Sequence, residues 1–189
     1  MMSADQDTDV VTVLTHDHRE VEEMFGELER LGEADTERRG ELTEKVIIEL
    51  ARHSVAEEAY LYPAVRDLVP GGGQLADREL AEHAEAERTM KELERTDVSD
   101  PRHAALLGKL MAEIRAHVRE EEGDLFPLLR SHASASQLAE LGHKVQAVKK
   151  IAPTRPHPAA PDTPPANKLM APVAGLVDRV RDAITGRGH

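Results

Sequence analysis

Histidine and glutamate side chains stand four residues apart at two places in the chain. His53 is followed by Glu57, and His117 is followed by Glu121. Residues at this spacing stack on one face of a helix, so each pair can direct an imidazole nitrogen and a carboxylate oxygen at one point. Imidazole and carboxylate without thiolate suit iron, manganese or zinc. The two pairs therefore predict a metal site, and two carboxylates that can each bridge favour two ions over one.

Two more histidines join this set because the sequence around the pairs is repeated. Segment 53–66 reappears at 117–130 with an offset of 64 residues, and segment 17–30 reappears at 82–95 with an offset of 65. One helical hairpin is in effect doubled. Two such hairpins packed about a pseudo-twofold axis would bring four histidines to one level of the core, namely His18, His53, His83 and His117.

The neighbours of these four histidines place them on inward helix faces. His18 shares its face with Leu14 and Val21, whereas His16 lies among polar residues and is expected to be exposed. An ionised glutamate inside a bundle costs several kcal/mol unless a cation compensates it. No lysine or arginine occupies the same faces, so a divalent metal would supply that charge. The alternative is a polar core satisfied by hydrogen bonds alone.

Four long helices must position these residues. Apolar periodicity, the cap signal of Asp100 and Pro101 and the Pro-Gly stop at residues 70–73 predict their bounds. The predicted helices cover about 10–31, 36–68, 74–96 and 101–130, with a weaker segment at 134–149. No strand-like alternation occurs. The pattern predicts an all-α, up-down-up-down four-helix bundle.

Composition excludes several classes of protein. The absence of cysteine rules out disulfide frameworks, iron–sulfur clusters, thiolate zinc sites and cysteine nucleophiles. The net charge of −12 disfavours a nucleic-acid partner, because an acidic surface repels phosphates. No apolar run reaches the roughly 18 residues needed to cross a bilayer, and the acidic residues 1–10 do not form a signal peptide. We therefore expect a cytoplasmic protein without a transmembrane segment.

The composition changes near residue 150 and divides the chain. Residues 1–150 form the predicted helical domain, with its core at about 8–132. Residues 151–168 are proline-rich and predict an extended linker. Residues 169–189 form a short basic tail whose apolar residues recur at helical spacing. This amphipathic tail either docks on the acidic domain, frays in solvent, or tethers the chain to a membrane surface or a partner.

The six candidate ligands resemble those of a known family. The order of His18, the pair His53 and Glu57, His83, and the pair His117 and Glu121 is similar to the hemerythrin-like family, the HHE cation-binding domain proteins. The Leu-Tyr-Pro and Leu-Phe-Pro motifs that follow the two glutamates are also typical of it. The resemblance implies a four-helix bundle that holds a non-haem di-iron centre, with bridging glutamates and terminal histidines. Manganese or zinc could replace iron.

The chain departs from the oxygen-carrying members of that family. Those proteins have a second histidine four residues before the third-helix ligand, where this chain has Glu79. They also place the last carboxylate five residues after the final histidine, where this chain has Glu122. Glu58, Glu79 or Glu122 could be an additional metal ligand here. Four histidines in place of five argue against stable, reversible oxygen carriage.

The resemblance implies two classes of function. One is a redox-active di-iron protein that binds dioxygen, nitric oxide or peroxide, with a peroxide-decomposing or redox-sensing role; as an enzyme it would be a catalase- or peroxidase-like oxidoreductase. The alternative is a non-catalytic metal-dependent sensor or interaction module, or a protein of iron-centre repair and iron homeostasis. The residues alone do not decide whether the protein is an enzyme.

Overall fold

The computed structural model describes residues 9–32, 34–152 and 154, and in these ranges the chain forms five helices and no strand. The predicted all-α fold is confirmed. Helices α1, α3 and α5 cover Val10–Arg30, Gly72–Arg95 and Ala135–Lys149. Helix α2 runs through Thr36–Ala56, a π-helical turn at Glu57–Leu61, and Tyr62–Leu68. Helix α4 runs likewise through Pro101–Glu120, a π-helical turn at Glu121–Leu125, and Phe126–His132.

Both π-helical turns begin at the glutamate of a His-x-x-x-Glu pair and end two residues before a proline. The N–H of Tyr62 donates to the carbonyl of Glu57, five residues back, and Phe126 donates to Glu121 in the same way. The proline that follows each aromatic residue lacks an N–H and its ring crowds the preceding turn. An α-helical ladder cannot continue unchanged there, and one wider turn accommodates the mismatch. The sequence predicted the full extent of these helices but not their π-helical turns.

Short caps and close approaches fix the ends of the helices. Asp9 caps α1 by accepting from the N–H of Thr12 at 2.9 Å, and Asp100 caps α4 as expected. Gly71 has a φ of 74° between α2 and α3. At Gly72 a Cβ atom would lie 2.0 Å from the carbonyl oxygen of Val65, so only glycine allows α3 to begin this close to α2.

The helices enclose two apolar clusters with a polar layer between them. Helix α1 packs on α2, α3 on α4, and α5 lies against α1 and α2. The first core cluster contains Leu14, Leu61 and Leu125 together with Val145 of α5, and the second contains Phe25 and the buried residues Val46, Met90 and Leu110. The predicted segment 134–149 is thus a fifth helix that covers one end of the bundle.

The predictions for the linker and the tail fall almost entirely outside the described residues. Of residues 151–189 the structure describes only 151, 152 and 154. None of the described helices is both long and apolar enough to cross a membrane.

Candidate metal centre

The six predicted ligands converge in the polar layer between the two core clusters. Glu57 and Glu121 are 0% exposed, and the four histidines are 4–5% exposed. Each of the helices α1 to α4 contributes one histidine, and the glutamates come from the first residue of each π-helical turn. The doubled hairpin therefore brings together residues that are far apart in sequence.

The four histidines form two pairs. The first histidine pair is His18 and His53, whose Nε2 atoms are 3.3 Å apart. The second histidine pair is His83 and His117, whose Nε2 atoms are 3.2 Å apart. Glu57 faces both, since its Oε1 lies 3.0 Å from Nε2 of His53 and its Oε2 lies 3.3 Å from Nε2 of His83. One carboxylate therefore spans the two pairs.

Glu121 lies across the centre from Glu57 and also reaches both pairs. Its Oε2 is 3.4 Å from Nε2 of His18 and 3.6 Å from Nε2 of His117. The inner ligand atoms fall into two groups, each with atoms within 4.8 Å of one another, and both groups include Glu57. This geometry has the form of two adjoining cation sites with shared carboxylates. A third such group consists of Glu79, Glu82 and His117.

A carboxylate faces the outer nitrogen, Nδ1, of every histidine in the centre. In the first pair, Glu122 lies 2.9 Å from Nδ1 of His18 and Asp17 lies 3.3 Å from Nδ1 of His53. In the second pair, Glu58 lies 2.9 Å from Nδ1 of His83. Glu82 and Glu79 each lie 3.1 Å from Nδ1 of His117. Such a partner holds the proton on Nδ1 and leaves the Nε2 lone pair directed inward.

The centre consequently contains many acceptors and few donors. When the imidazoles are neutral, four Nε2 lone pairs and the carboxylate oxygens of Glu57 and Glu121 face one another at 3.0–3.6 Å. Within the described residues, Oε1 of Glu57 and Oε2 of Glu121 are buried and accept no hydrogen bond of normal geometry. Buried acceptors this close repel one another unless a cation lies between them. The donor set therefore fits a pair of metal ions.

The pKa values of the buried groups show the effect of the carboxylates, which favour positive charge on the histidines. Burial alone would lower the pKa of His53, but Glu57 and Asp17 raise it to about 10. Burial likewise opposes protonation of His83, yet Glu57 and Glu58 raise its pKa to about 9. Burial raises the pKa of Glu57, but the two neighbouring histidines hold it well below its usual value. Without a metal, protons on His53 and His83 offset part of the carboxylate charge.

Tyr62 is part of the centre, and the sequence analysis did not identify it as a site residue. Its hydroxyl lies 2.9 Å from Nε2 of His83 and donates to Oε1 of Glu121 at 3.2 Å. The equivalent residue in the repeat is Phe126, whose ring stacks on His18 at a centroid distance of 5.8 Å. The exchange of tyrosine for phenylalanine between the repeats was the available signal, but aromatic residues at such positions usually serve as core.

The other residues considered from the sequence lie outside the ring of six. Glu58 and Glu122 contact outer nitrogens, and Glu79 is fully buried beside the outer nitrogen of His117. Arg78 bonds the second oxygen of Glu79 at 3.1 Å. His16 is exposed, as expected, with a side chain 72% accessible.

A small cavity adjoins the histidines on the side of the second core cluster. Its volume is about 240 Å³, and all four histidines contribute to its wall. Its apolar lining includes Val21, Leu50, Ala86 and Ile114, each three residues from one of the histidines. Glu85 and Glu113 lie at its outer part, with side chains 47% and 21% exposed. A molecule of a few atoms would fit in this space beside the histidine side chains.

Comparison with known proteins gives consistent matches. The model of the hemerythrin HHE cation-binding domain matches residues 9–129. An uncharacterized hemerythrin-like protein of Schizosaccharomyces pombe is 27% identical over 93% of this chain and 86% of its own length. The crystal structure of a hemerythrin HHE cation-binding domain-containing protein from Mycobacterium kansasii has a TM-score of 0.66 and 25% identity, over 75% of this chain and 85% of that chain.

A further relative is longer than this chain. A DNA nickase of Nostoc is 29% identical over 146 residues, which are 76% of this chain but 40% of the nickase. The similarity therefore concerns less than half of that protein.

Proposed function

The chain belongs to the hemerythrin HHE cation-binding domain family, and from this premise we propose that its buried centre binds two iron ions. The first histidine pair would hold one ion and the second histidine pair the other. Glu57 and Glu121 would bridge them, because each carboxylate lies within 3.6 Å of both pairs. The observation that carries the proposal is the convergence of buried acceptors around a space with almost no donors.

The donor set supports iron. Imidazole and carboxylate ligands without thiolate suit iron, manganese and zinc. The contacts of the outer carboxylates with Nδ1 raise the basicity of the inner nitrogens and keep the rings oriented, as is usual for metal-bound histidine. Manganese or zinc in the purified protein is the alternative outcome.

We further propose that the centre binds a small molecule, namely dioxygen, nitric oxide or peroxide. When bound, a pair of iron ions would supply redox chemistry toward such ligands, with one electron from each ion. The chain provides a cavity of about 240 Å³ at the histidines, with an apolar lining that limits the access of bulk water. The hydroxyl of Tyr62 provides a hydrogen-bond donor within the centre. A role in peroxide decomposition or redox sensing would follow from these features.

Metal analysis and optical spectroscopy test this function. The full chain purified in air should contain about two iron ions per molecule, and its near-ultraviolet and visible spectrum should change on addition of peroxide or nitric oxide. A protein without bound iron, manganese or zinc would contradict the metal centre. A loaded protein whose spectrum is inert to these ligands would contradict the ligand-binding role only.

One contact favours a second candidate function, a non-catalytic metal-dependent sensor. Lys149, at the end of α5, lies 2.6 Å from Asp17, and Asp17 lies 3.3 Å from His53. A change at the metal centre could thereby reach the residues that follow α5. Deletion of residues 151–189 separates the candidates: unchanged ligand binding and peroxide turnover would favour the first function, and loss of a metal-dependent partner interaction would favour the second.

A further inference from the structure

The two histidine pairs differ in the charges that surround them. We propose that the second histidine pair, His83 and His117, binds its metal ion first and more tightly than the first pair, His18 and His53, because of unequal charge around the outer nitrogens. The inference rests on the proposed function, since it concerns the same centre.

Around the first pair, every outer carboxylate is neutralised by a basic side chain. Asp17, behind His53, lies 2.6 Å from the ammonium group of Lys149. Glu122, behind His18, lies 2.6 Å from the guanidinium group of Arg19. Two carboxylates and two cations leave no net formal charge behind this pair.

Around the second pair, the carboxylates outnumber the cations. Glu58 faces His83, while Glu79 and Glu82 face His117. Across the described ranges, Arg78 is the one basic side chain bonded to any of these three, and it is shared with Glu120 at 2.9 Å. The second pair therefore has a net negative surrounding that the first pair lacks.

The difference in surrounding charge arises at positions where the two halves of the internal repeat carry different residues. Glu79 stands at the position equivalent to Leu14, so the second half has a buried carboxylate where the first half has an apolar side chain. Ala84 stands at the position equivalent to Arg19, so the second half lacks that cation. Tyr62 adds a hydroxyl oxygen at the second pair, whereas the first pair has the apolar ring of Phe126 at 5.8 Å.

All of these differences favour cation binding at the second histidine pair. Negative charge near a poorly hydrated site stabilises a bound ion more than it would in water. A carboxylate on the outer nitrogen also makes the inner nitrogen a stronger ligand. Mutual repulsion between two ions would weaken the second binding step in either order. The surrounding charge is what selects the order.

Titration with zinc tests the order without involving redox activity. The metal-free full chain is titrated with Zn²⁺ while calorimetry records affinities and nitrogen NMR records the histidine side chains. At one equivalent of Zn²⁺ we expect the resonances of His83 and His117 to shift while those of His18 and His53 stay in place. Earlier or simultaneous shifts of the first pair would overturn the inference, and a failure to bind any Zn²⁺, Fe²⁺ or Mn²⁺ would instead contradict the proposed function.

Charge variants test the cause. Glu58→Gln should weaken the tighter step by about 10–100-fold, as expected for loss of an outer carboxylate, and leave the weaker step nearly unchanged. Lys149→Gln should raise the affinity of the weaker step, because it leaves the charge of Asp17 unbalanced. Lys149→Arg keeps the positive charge and should show the wild-type affinity. Lys144→Gln is the matched control, because Lys144 lies on the same helix and pairs with Glu140. Two steps that respond equally to Glu58→Gln, or no response to Lys149→Gln, would contradict unequal charge as the cause.

Discussion

At the scale of single residues, each of the four inner histidines has a partner at both ring nitrogens. Each one has an outer carboxylate at Nδ1 and an inner neighbour at Nε2. His16 has only an exposed contact with Glu20 at 3.5 Å. The same residue type can thus be a candidate ligand or a surface residue, and burial together with the outer carboxylate distinguishes the candidate ligands from His16.

Alanine substitution of histidine should therefore affect metal content selectively. We expect His53→Ala and His117→Ala each to lower bound metal per chain substantially, since each would remove a ligand from one of the two proposed cation sites. His16→Ala, the matched control, should retain the wild-type content. Elemental analysis of the three purified variants provides the measurement, and equal losses in all three would contradict the assignment of inward and outward faces.

Metal uptake should also depend on pH, because ions must displace protons from the centre. The carboxylates raise the pKa of His53 to about 10 and that of His83 to about 9, so both are protonated near neutral pH in the metal-free protein. Acid favours that protonated form, and alkali favours the metal-bound form. We expect the apparent affinity for Zn²⁺ to rise with pH up to about pH 9, where the first of these two imidazoles loses its proton, and metal binding below that pH to release protons.

Calorimetry in buffers of different ionisation enthalpy measures that proton release. The variant His16→Ala should release the same number of protons as the wild type, since His16 lies outside the centre. Metal binding without proton release would show that the imidazoles are already neutral in the free protein.

Much of the centre could be predicted from residue types and spacing, but not all of it. The repeat and the inward faces indicated all six converging residues, because a helix translates spacing directly into direction. Tyr62 was missed, since its exchange for phenylalanine in the other repeat does not by itself distinguish a site residue from a core residue. Asp17 and Glu82 were visible in the repeat, but their contacts reach across to histidines of other helices, and helix packing sets these.

At the scale of helices, the bounds followed from caps and periodicity, whereas two local features did not. The π-helical turns depend on how the ladder adjusts ahead of Pro63 and Pro127, which a hydrophobic pattern does not report. The tight start of α3 depends on Gly72, and the sequence showed only a run of three glycines that ends α2. The structure shows that a side chain would clash with Val65 at Gly72 but would have space at Gly73.

Substitutions in this glycine run should therefore differ in effect. Gly72→Ala would place a Cβ atom 2.0 Å from the carbonyl oxygen of Val65, so the ends of α2 and α3 must separate. We expect a loss in the free energy of unfolding of about 1–3 kcal/mol, as for other overpacked sites. The matched control is Gly73→Ala, whose Cβ would approach no closer than 3.8 Å, to Nη1 of Arg66.

Denaturant unfolding of the two glycine variants measures this difference. Gly73→Ala should keep the stability of the wild type or gain slightly, because alanine favours helix more than glycine. A stable Gly72→Ala variant would mean that the junction of α2 and α3 moves easily, and that the short loop does not hold the helices in place.

At the scale of the whole molecule, the polar layer separates two apolar clusters that would otherwise form one core. The first core cluster includes α5, and the second lies at the far side of the histidines. Between them, Glu57 and Glu121 bring buried negative charge into the middle of the bundle. The negative charge in this layer is balanced only if cations or protons occupy it. We therefore expect metal binding to contribute to the stability of the fold.

Removing the metal should therefore lower the stability of the entire bundle. Ions that bind only the folded chain stabilise it in proportion to the logarithm of their concentration over Kd, so we expect a higher Tm with bound metal than after chelation. The double variant Glu57→Gln and Glu121→Gln should lose this difference, while its metal-free form should be no less stable than the metal-free wild type, because neutral amides remove the buried charge. The exposed variant His16→Gln should retain the full metal-dependent increase. Scanning calorimetry of the wild type and the two variants, with and without chelator, measures these differences in Tm. A wild-type Tm that does not depend on metal would show that the centre does not hold the two clusters together.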